Sequence, residues 1–281
     1  MSDKEELFTA KNIRFRYDRG PIVLDNLSFS VRAGEKIVLL GENGSGKSTL
    51  FKLMTASERP IEGQLYWKGK PYSYKKNFLR ELYSQLGLVF QDPEEQLFAA
   101  SVEQEVSFGA VNLGFPVEEV RCRVDQALAM TRTLPLRDRP LEQISFGEKK
   151  RVSIADLLVM DNQLLLLDEP TAWLDNRSSS QIVEVLNDLS QSGVSIIIST
   201  HDVDLAWSLA DRILILGQGH LLHDGSPEEA FSNTEAIEKA GLHLPVLLSI
   251  DRLLQEHCRM EGKPSRNLAE LENKIKSLSK S

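Results

Sequence analysis

The chain has 281 residues, 41% of them apolar and 26% charged, and a net charge of −8 at pH 7. That length supplies ample interior for a packed core, and the acidic balance argues against a protein that grips a phosphate backbone, so no nucleic-acid partner is expected. No apolar run approaches the roughly 18 to 20 residues a membrane span requires, and the polar start MSDKEELF has no secretory-signal character. A cytoplasmic protein is expected, with any membrane connection made through a partner. Cys122 and Cys258 fit neither a disulfide framework nor a zinc cluster and are read as reduced, ordinary packing residues.

In chain order, residues 7 to 40 read as strands. Phe8 to Tyr17 alternates loosely, Ile22 to Val31 repeats the pattern, and Ala33-Gly34-Glu35 makes a turn into a buried strand, Lys36 to Leu40. A Gly-rich loop from Gly41 to Gly46 follows, and a helix opens at Lys47. A second strand pair is expected near Gly63 to Trp67 and Leu86 to Phe90, around a basic segment rich in Tyr and Lys. From Val102 to about Leu158 the periodicity is helical, broken at Pro116, Pro135 and Pro140. Four apolar or β-branched runs come next: Leu164 to Leu167, Val194 to Ser199, Ile213 to Leu216 and His220 to His223. A helical pattern over Ser178 to Ser190 joins the first two, the βαβ signature of a largely parallel sheet. The helical block therefore interrupts that sheet. On a regular strand residues three apart face opposite sides, so His220 and His223 are expected to be poor metal co-ligands.

Beyond Gly241 the character changes. Leu268, Leu271, Ile275 and Leu278 form one narrow apolar stripe on a helix otherwise carrying Glu, Lys and Ser. Such a helix either packs on its own domain or serves as a dimerisation or partner helix.

Gly41-Glu42-Asn43-Gly44-Ser45-Gly46-Lys47-Ser48-Thr49 satisfies G-x-x-x-x-G-K-[ST] directly after a strand and before a helix. Glycines let successive backbone N–H groups turn inward around phosphate oxygens, and the helix dipole adds positive potential there. Lys47 is placed to bridge the β- and γ-phosphates, and Ser48 to ligate Mg²⁺. Asp168-Glu169-Pro170 closes the Leu164 to Leu167 strand. Asp168 is the candidate partner of the Mg²⁺, and Glu169 the candidate to position or deprotonate the attacking water. ATP and Mg²⁺ are the expected ligands.

Ser145-Phe146-Gly147-Glu148-Lys149-Lys150-Arg151, about twenty residues before Asp168-Glu169, resembles the signature motif of ABC ATPases, whose usual form is LSGGQ. The order of the other parts is similar too. Gln91 stands where the Q-loop glutamine does, Ala172-Trp173-Leu174-Asp175 where the D-loop does, His201 where the switch histidine does, and Tyr17 where an aromatic stacks on adenine. The resemblance covers roughly residues 7 to 235 and implies an α/β fold of the P-loop NTPase (RecA-like) kind. It has a mostly parallel sheet core, an antiparallel β subdomain and an inserted helical subdomain at about 92–158. The ATPase domain would occupy 1–240, with a helical C-terminal extension over 241–281. The family works as a pair, in which Ser145 and Gly147 of one protomer close over the ATP held by the other, Gln91 adds to the Mg²⁺ site, Asp175 lies at the shared interface and His201 senses the γ-phosphate. Phe146 replaces a glycine of the usual signature, Glu148 its glutamine, and Trp173 is bulky for a D-loop, which puts the fit of the dimer interface in question.

Val89-Phe-Gln-Asp-Pro-Glu-Glu-Gln-Leu-Phe98 and Val102 to Gly109 resemble the ATPases of energy-coupling factor (ECF) uptake systems, and residues 145–151 with the tail from Ala240 to Pro245 resemble their cobalt/nickel branch. The implied partners are a second ATPase protomer, a transmembrane scaffold protein docking on Gln91 to Phe98, and a substrate-binding membrane protein, which would put the chain peripherally on the cytoplasmic face of the membrane. The alternatives are an ECF vitamin importer, an exporter ATPase, or a non-transport relative acting on DNA or ribosomes. The last kinds usually carry long coiled-coil or zinc insertions, or two ATPase units, and this chain shows neither.

Overall fold

The structure, a computed structural model, describes residues 5–258 and 262–278. The chain opens with β1 (Glu6–Phe15), β2 (Leu24–Arg32), β3 (Lys36–Leu40), α1 (Lys47–Met54), β4 (Glu62–Trp67), the short β5 (Lys70–Pro71), α2 (Lys76–Tyr83) and β6 (Leu86–Val89). The helices α3 (Val102–Leu113), α4 (Val117–Met130) and α5 (Phe146–Leu158) follow. Then come β7 (Leu164–Asp168), α6 (Asn176–Gln191), β8 (Ser195–Thr200), α7 (Val203–Leu209), β9 (Arg212–Gly217) and β10 (His220–Gly225). α8 (Pro227–Ser232), α9 (Thr234–Lys239), α10 (Val246–Cys258) and α11 (Leu268–Leu278) complete the described chain.

Two sheets result. One has the order β10-β9-β3-β8-β7-β6 and is parallel except for β10 at its edge; the other is antiparallel, β2-β1-β4-β5. The central strands are continuous apolar runs because both faces are covered. Ile37, Leu39, Leu164 and Leu166 pack on one side with α1 and the antiparallel sheet, around Phe8, Phe51 and Trp67. Val38, Leu40, Leu165 and Leu167 pack on the other with α6 and α7, around Ile182, Leu186 and Trp207. The helical block has its own core, in which Val106, Val124, Leu128 and Val152 meet between α3, α4 and α5. Each fully buried side chain of this kind contributes about 1.5 to 3 kcal/mol. No helix among the described residues is long and apolar enough to cross a membrane.

Several expectations change. The Gly63 to Trp67 and Leu86 to Phe90 segments do not pair: β4 joins the antiparallel sheet, while β6 lies beside β7 at the edge of the parallel one. Helix α2 separates them, and both apolar faces of β6 are met by other elements. β1 ends at Phe15, so Tyr17 lies in the turn beyond it. Both cysteines are free and exposed rather than packed. The register of β10 slips between Leu221 and His223, so His220 opposes Gly217 and His223 opposes Ile215. That bulge removes the simple alternation and puts both histidines on one face; the His223 ring meets the Asn233 amide at 3.4 Å.

The C-terminal stripe divides. Leu271 is buried, Leu268 and Ile275 are exposed, and the side chain of Leu278 lies outside the described part. The extension is tied to its own domain through α7. Trp207 Nε1 donates to Ser265 O at 2.7 Å, the Arg266 guanidinium lies 4.4 Å from the Trp207 ring centre, and Val246 N donates to Asp204 Oδ1 at 2.7 Å. Buried Asp251 accepts from Ser265 N and pairs with Lys274 at 2.8 Å.

Candidate nucleotide-binding site

β3 delivers the chain into a loop that α1 closes at Lys47. Gly46 has φ +109°, a backbone conformation that strains any residue with a side chain, and a Cβ there would press on Leu24 Cδ2 at 2.7 Å. Lys47 is buried and folds back over the loop, donating to Gly41 O at 2.6 Å and Glu42 O at 3.1 Å. Burial lowers its ammonium pKa, and the charges of Glu169 and Asp168 oppose that shift.

A cavity of about 280 Å³ opens over the loop. Gly44, Gly46, Lys47 and Ser48 line it from the loop and α1, and Gln91, Asp168 and Glu169 from the ends of β6 and β7; Asn43, Thr49 and Val23 complete the lining. Ser48, Gln91 and Asp168 thus offer a hydroxyl, an amide and a carboxylate oxygen to one space. Such hard oxygen donors, few in number beside phosphates, suit Mg²⁺. Ser199 Oγ donates to Asp168 Oδ1 and fixes that carboxylate.

Glu169 is the most constrained residue of the site. Its φ is +44°, in the left-handed region that non-glycine residues rarely adopt. Its N–H donates to Ser199 O at 3.1 Å, and its own carbonyl accepts from Lys150 Nζ at 3.1 Å. The carboxylate, 8% exposed, has Oε1 2.9 Å from His201 Nδ1 and 3.7 Å from Lys47 Nζ, and Oε2 accepts from Thr200 Oγ1 at 3.2 Å. Both oxygens are held, and the carboxylate is aimed at the cavity between loop lysine and histidine. Burial pushes the Lys150 ammonium down to about 8, although Asp168, Asp92 and Glu169 favour its charge.

Tyr17 stands beside α1, its hydroxyl 3.1 Å from Thr49 Oγ1 and its ring edge-on to Phe15 at 4.9 Å. The Lys52 ammonium lies 5.7 Å from the ring centre, and the ring remains partly open to solvent. This leaves a flat apolar surface next to the phosphate loop.

Ser145, Gly147 and Asp175 are not among the residues lining the cavity. Ser145 caps α5 in a capping box: its hydroxyl accepts from Glu148 N, and its own N–H donates to Glu148 Oε2 at 2.7 Å. Glu148, which departs from the usual glutamine, therefore has a local structural use. Gly147 is buried against α6, where a Cβ would lie 2.9 Å from the Ser178 side chain. Asp175 caps α6 by accepting from Ser178 N and Oγ, each at 2.9 Å, which holds its carboxyl below the usual range. Two of the three residues that depart from the family pattern meet: the Phe146 and Trp173 rings are 6.1 Å apart at 58°.

Sequence reasoning missed Lys150, Ser199 and Thr200. The serine and threonine follow from strand adjacency alone, since Asp168 pairs with Ser199 across β7 and β8. Nothing local marks Lys150, whose reach depends on how α5 packs beside β6.

Comparison with known proteins agrees with this geometry. The family described as ABC transporter matches residues 24–172. The energy-coupling factor transporter ATP-binding protein EcfA of Methanocaldococcus jannaschii is 44% identical over 246 residues, covering 88% of each chain. EcfA3 of Clostridium perfringens, named in the same way, is 39% identical over 254 residues, covering 90% of this chain and 89% of its own. Among solved structures, CbiO1 of Clostridium perfringens, described as part of the ABC transporter complex CbiONQ, superposes with a TM-score of 0.78 at 39% identity over 90% of this chain and 100% of its own. An ATP-binding cassette solved as a dimer in a post-hydrolysis state with ADP and Pi superposes with a TM-score of 0.71 at 25% identity, over 79% and 99%. A Gly-rich loop and an acidic strand end meeting at one cavity, on a fold shared with these proteins, place this chain in the ABC transporter family as an ATP-hydrolysing, Mg²⁺-dependent ATP-binding subunit of the ECF type.

Proposed function

We propose that the chain powers an ECF-type importer for a transition-metal ion, cobalt or nickel, from the cytoplasmic face of the membrane. The observation that carries the catalytic part is the Glu169 carboxylate, held at both oxygens between Lys47, His201 and Thr200 in the loop cavity. Lys47 and the loop N–H groups bind the β- and γ-phosphates. Ser48, Gln91 and Asp168 hold the Mg²⁺, which when bound neutralises phosphate charge. Glu169 orients the attacking water and takes its proton as the water oxygen bonds to the γ-phosphorus and the bond to the ADP oxygen breaks. His201 keeps the carboxylate aligned and contacts the γ-phosphate. Tyr17 stacks on the adenine, and Ser145 and Gly147, with Asp175 nearby, complete the site of a second protomer.

An apolar groove supports membrane coupling. Tyr74, Leu79, Tyr83, Phe108 and Met160 line a space of about 760 Å³ between α2 and the helical block. Exposed Phe98 stacks edge-on to Phe108 at 5.0 Å and brings the Gln91 to Phe98 segment up to this groove. We assign it to a transmembrane scaffold protein, which works with a substrate-binding membrane protein. The metal cargo rests on the likeness of residues 145–151 and of the tail after Ala240 to the cobalt/nickel branch.

Affinity-tagged Glu169→Gln protein, purified from native membranes, tests the reading by mass spectrometry of its companions. An ECF-type scaffold and a metal-binding membrane subunit are expected. A vitamin-binding subunit would overturn the cargo, and an exporter membrane subunit, ribosomes or DNA would overturn the importer.

A further inference from the structure

We propose that Lys150 is a positioning residue for hydrolysis, holding the backbone of Glu169 and tying it to the helix that carries Ser145 and Gly147. Lys150 is 1% exposed, and its Nζ donates to Glu169 O at 3.1 Å. On the other side of the residue, Glu169 N donates to Ser199 O at the end of β8. The two peptide groups flanking the Glu169 Cα are thus pinned from opposite elements, one by α5 and one by β8. These two bonds hold Glu169 at φ +44°, a backbone conformation disfavoured for a non-glycine residue. With the backbone so held, the side chain lies between Lys47 and His201.

Beside the lysine stands Phe146, one of the three residues that depart from the family pattern. Phe146, on the first turn of α5, lies with its ring centre 5.8 Å from Lys150 Nζ, and Trp173 packs against Phe146. Trp173 itself has φ +62° and is exposed. Asp92, Asp168 and Glu169 supply the negative charge a buried ammonium needs. The same helix therefore presents Ser145 at its exposed N-terminus and grips Glu169 from its interior.

The inference rests on Glu169 being the base, and the test separates the two claims. Steady-state ATP hydrolysis by the full chain is compared for Lys150→Met, which removes the donor, Lys150→Gln, which retains a shorter one, and Glu169→Gln. Loss of a charge-assisted hydrogen bond predicts a fall in kcat of about ten- to hundredfold for Lys150→Met, with KM within about twofold. Lys150→Gln should recover at least about threefold of that loss, which a merely structural role would not produce. Lys150→Leu replaces the methionine variant if thermal unfolding shows that variant misfolded. Wild-type kcat in a folded apolar variant, a change confined to KM, or a glutamine variant no better than the apolar one would each overturn the role of Lys150 while Glu169→Gln stays inactive. Retained hydrolysis in Glu169→Gln would overturn the base itself, and the Lys150 role with it.

Discussion

The Glu169 carboxylate lies 3.7 Å from the Lys47 ammonium, and the two side chains, from opposite ends of the site, are 8% and 6% exposed. Neither charge could be buried there alone, since removing one partner of a buried pair costs about 3 to 5 kcal/mol. The pairing also brings the residue that grips phosphate next to the one that handles the attacking water. Binding and chemistry are therefore separable by substitution on either side of a single ion pair.

Lys47→Ala should weaken ATP binding at least about a hundredfold, through loss of the ammonium and its loop contacts. Glu169→Gln keeps the shape and one hydrogen-bonding oxygen, so binding should be retained while hydrolysis falls by about 10²- to 10⁴-fold. Equilibrium binding of a fluorescent nucleotide and phosphate release, run side by side, check both. Size-exclusion chromatography of Glu169→Gln with ATP should show a dimer that the wild type loses on turnover.

Tyr17→Ala should cost ATP affinity by about 1 to 3 kcal/mol, the worth of one base–aromatic stack, whereas Tyr17→Phe should bind as the wild type does. If the phenylalanine variant is as weak as the alanine one, the hydroxyl contact to Thr49 at 3.1 Å matters and stacking does not. Titration of both variants by calorimetry distinguishes these cases.

Asp156 borders the groove beside Met160, and burial pushes its carboxyl up to about 7, against the Gln96 amide that holds it down. A folded acid with a raised pKa retains a proton that the unfolded chain releases. Stability is therefore lost as pH rises from about 4 to 7. Asp156→Asn should stabilise the chain by about 1 to 3 kcal/mol at pH 8 and do little near pH 4. Thermal unfolding at the two pH values measures this, and equal shifts at both would contradict it.

Trp207→Phe should lower the melting temperature by about 4 to 8 °C, because Ser265 O loses its donor inside the core and the smaller ring leaves a void. Protease sensitivity of the segment after Gly241 should rise in the same variant if α7 is what anchors the extension.

Much of this site is legible in the sequence because its parts are local. A Gly-rich loop between a strand and a helix turns its N–H groups inward, and an Asp-Glu pair closing an apolar strand emerges at the carboxyl ends of the parallel strands. Lys47, Ser48, Asp168 and Glu169 follow from those two facts. The parallel sheet follows from apolar runs alternating with helical patterns. Tertiary structure alone decided what depends on neighbours distant in sequence. It sent β4 and β6 to different sheets: β4 buries Leu65 and Trp67 on one face beside β1, whereas β6 pairs with β7 in the parallel sheet. It slipped the register of β10 by a bulge, which no alternation pattern encodes. It brought Lys150 of α5 to the carbonyl of Glu169, nineteen residues on, because α5 packs between β6 and the other helices of its block. Residue identity set the chemistry available at each point, and packing chose which of those groups meet.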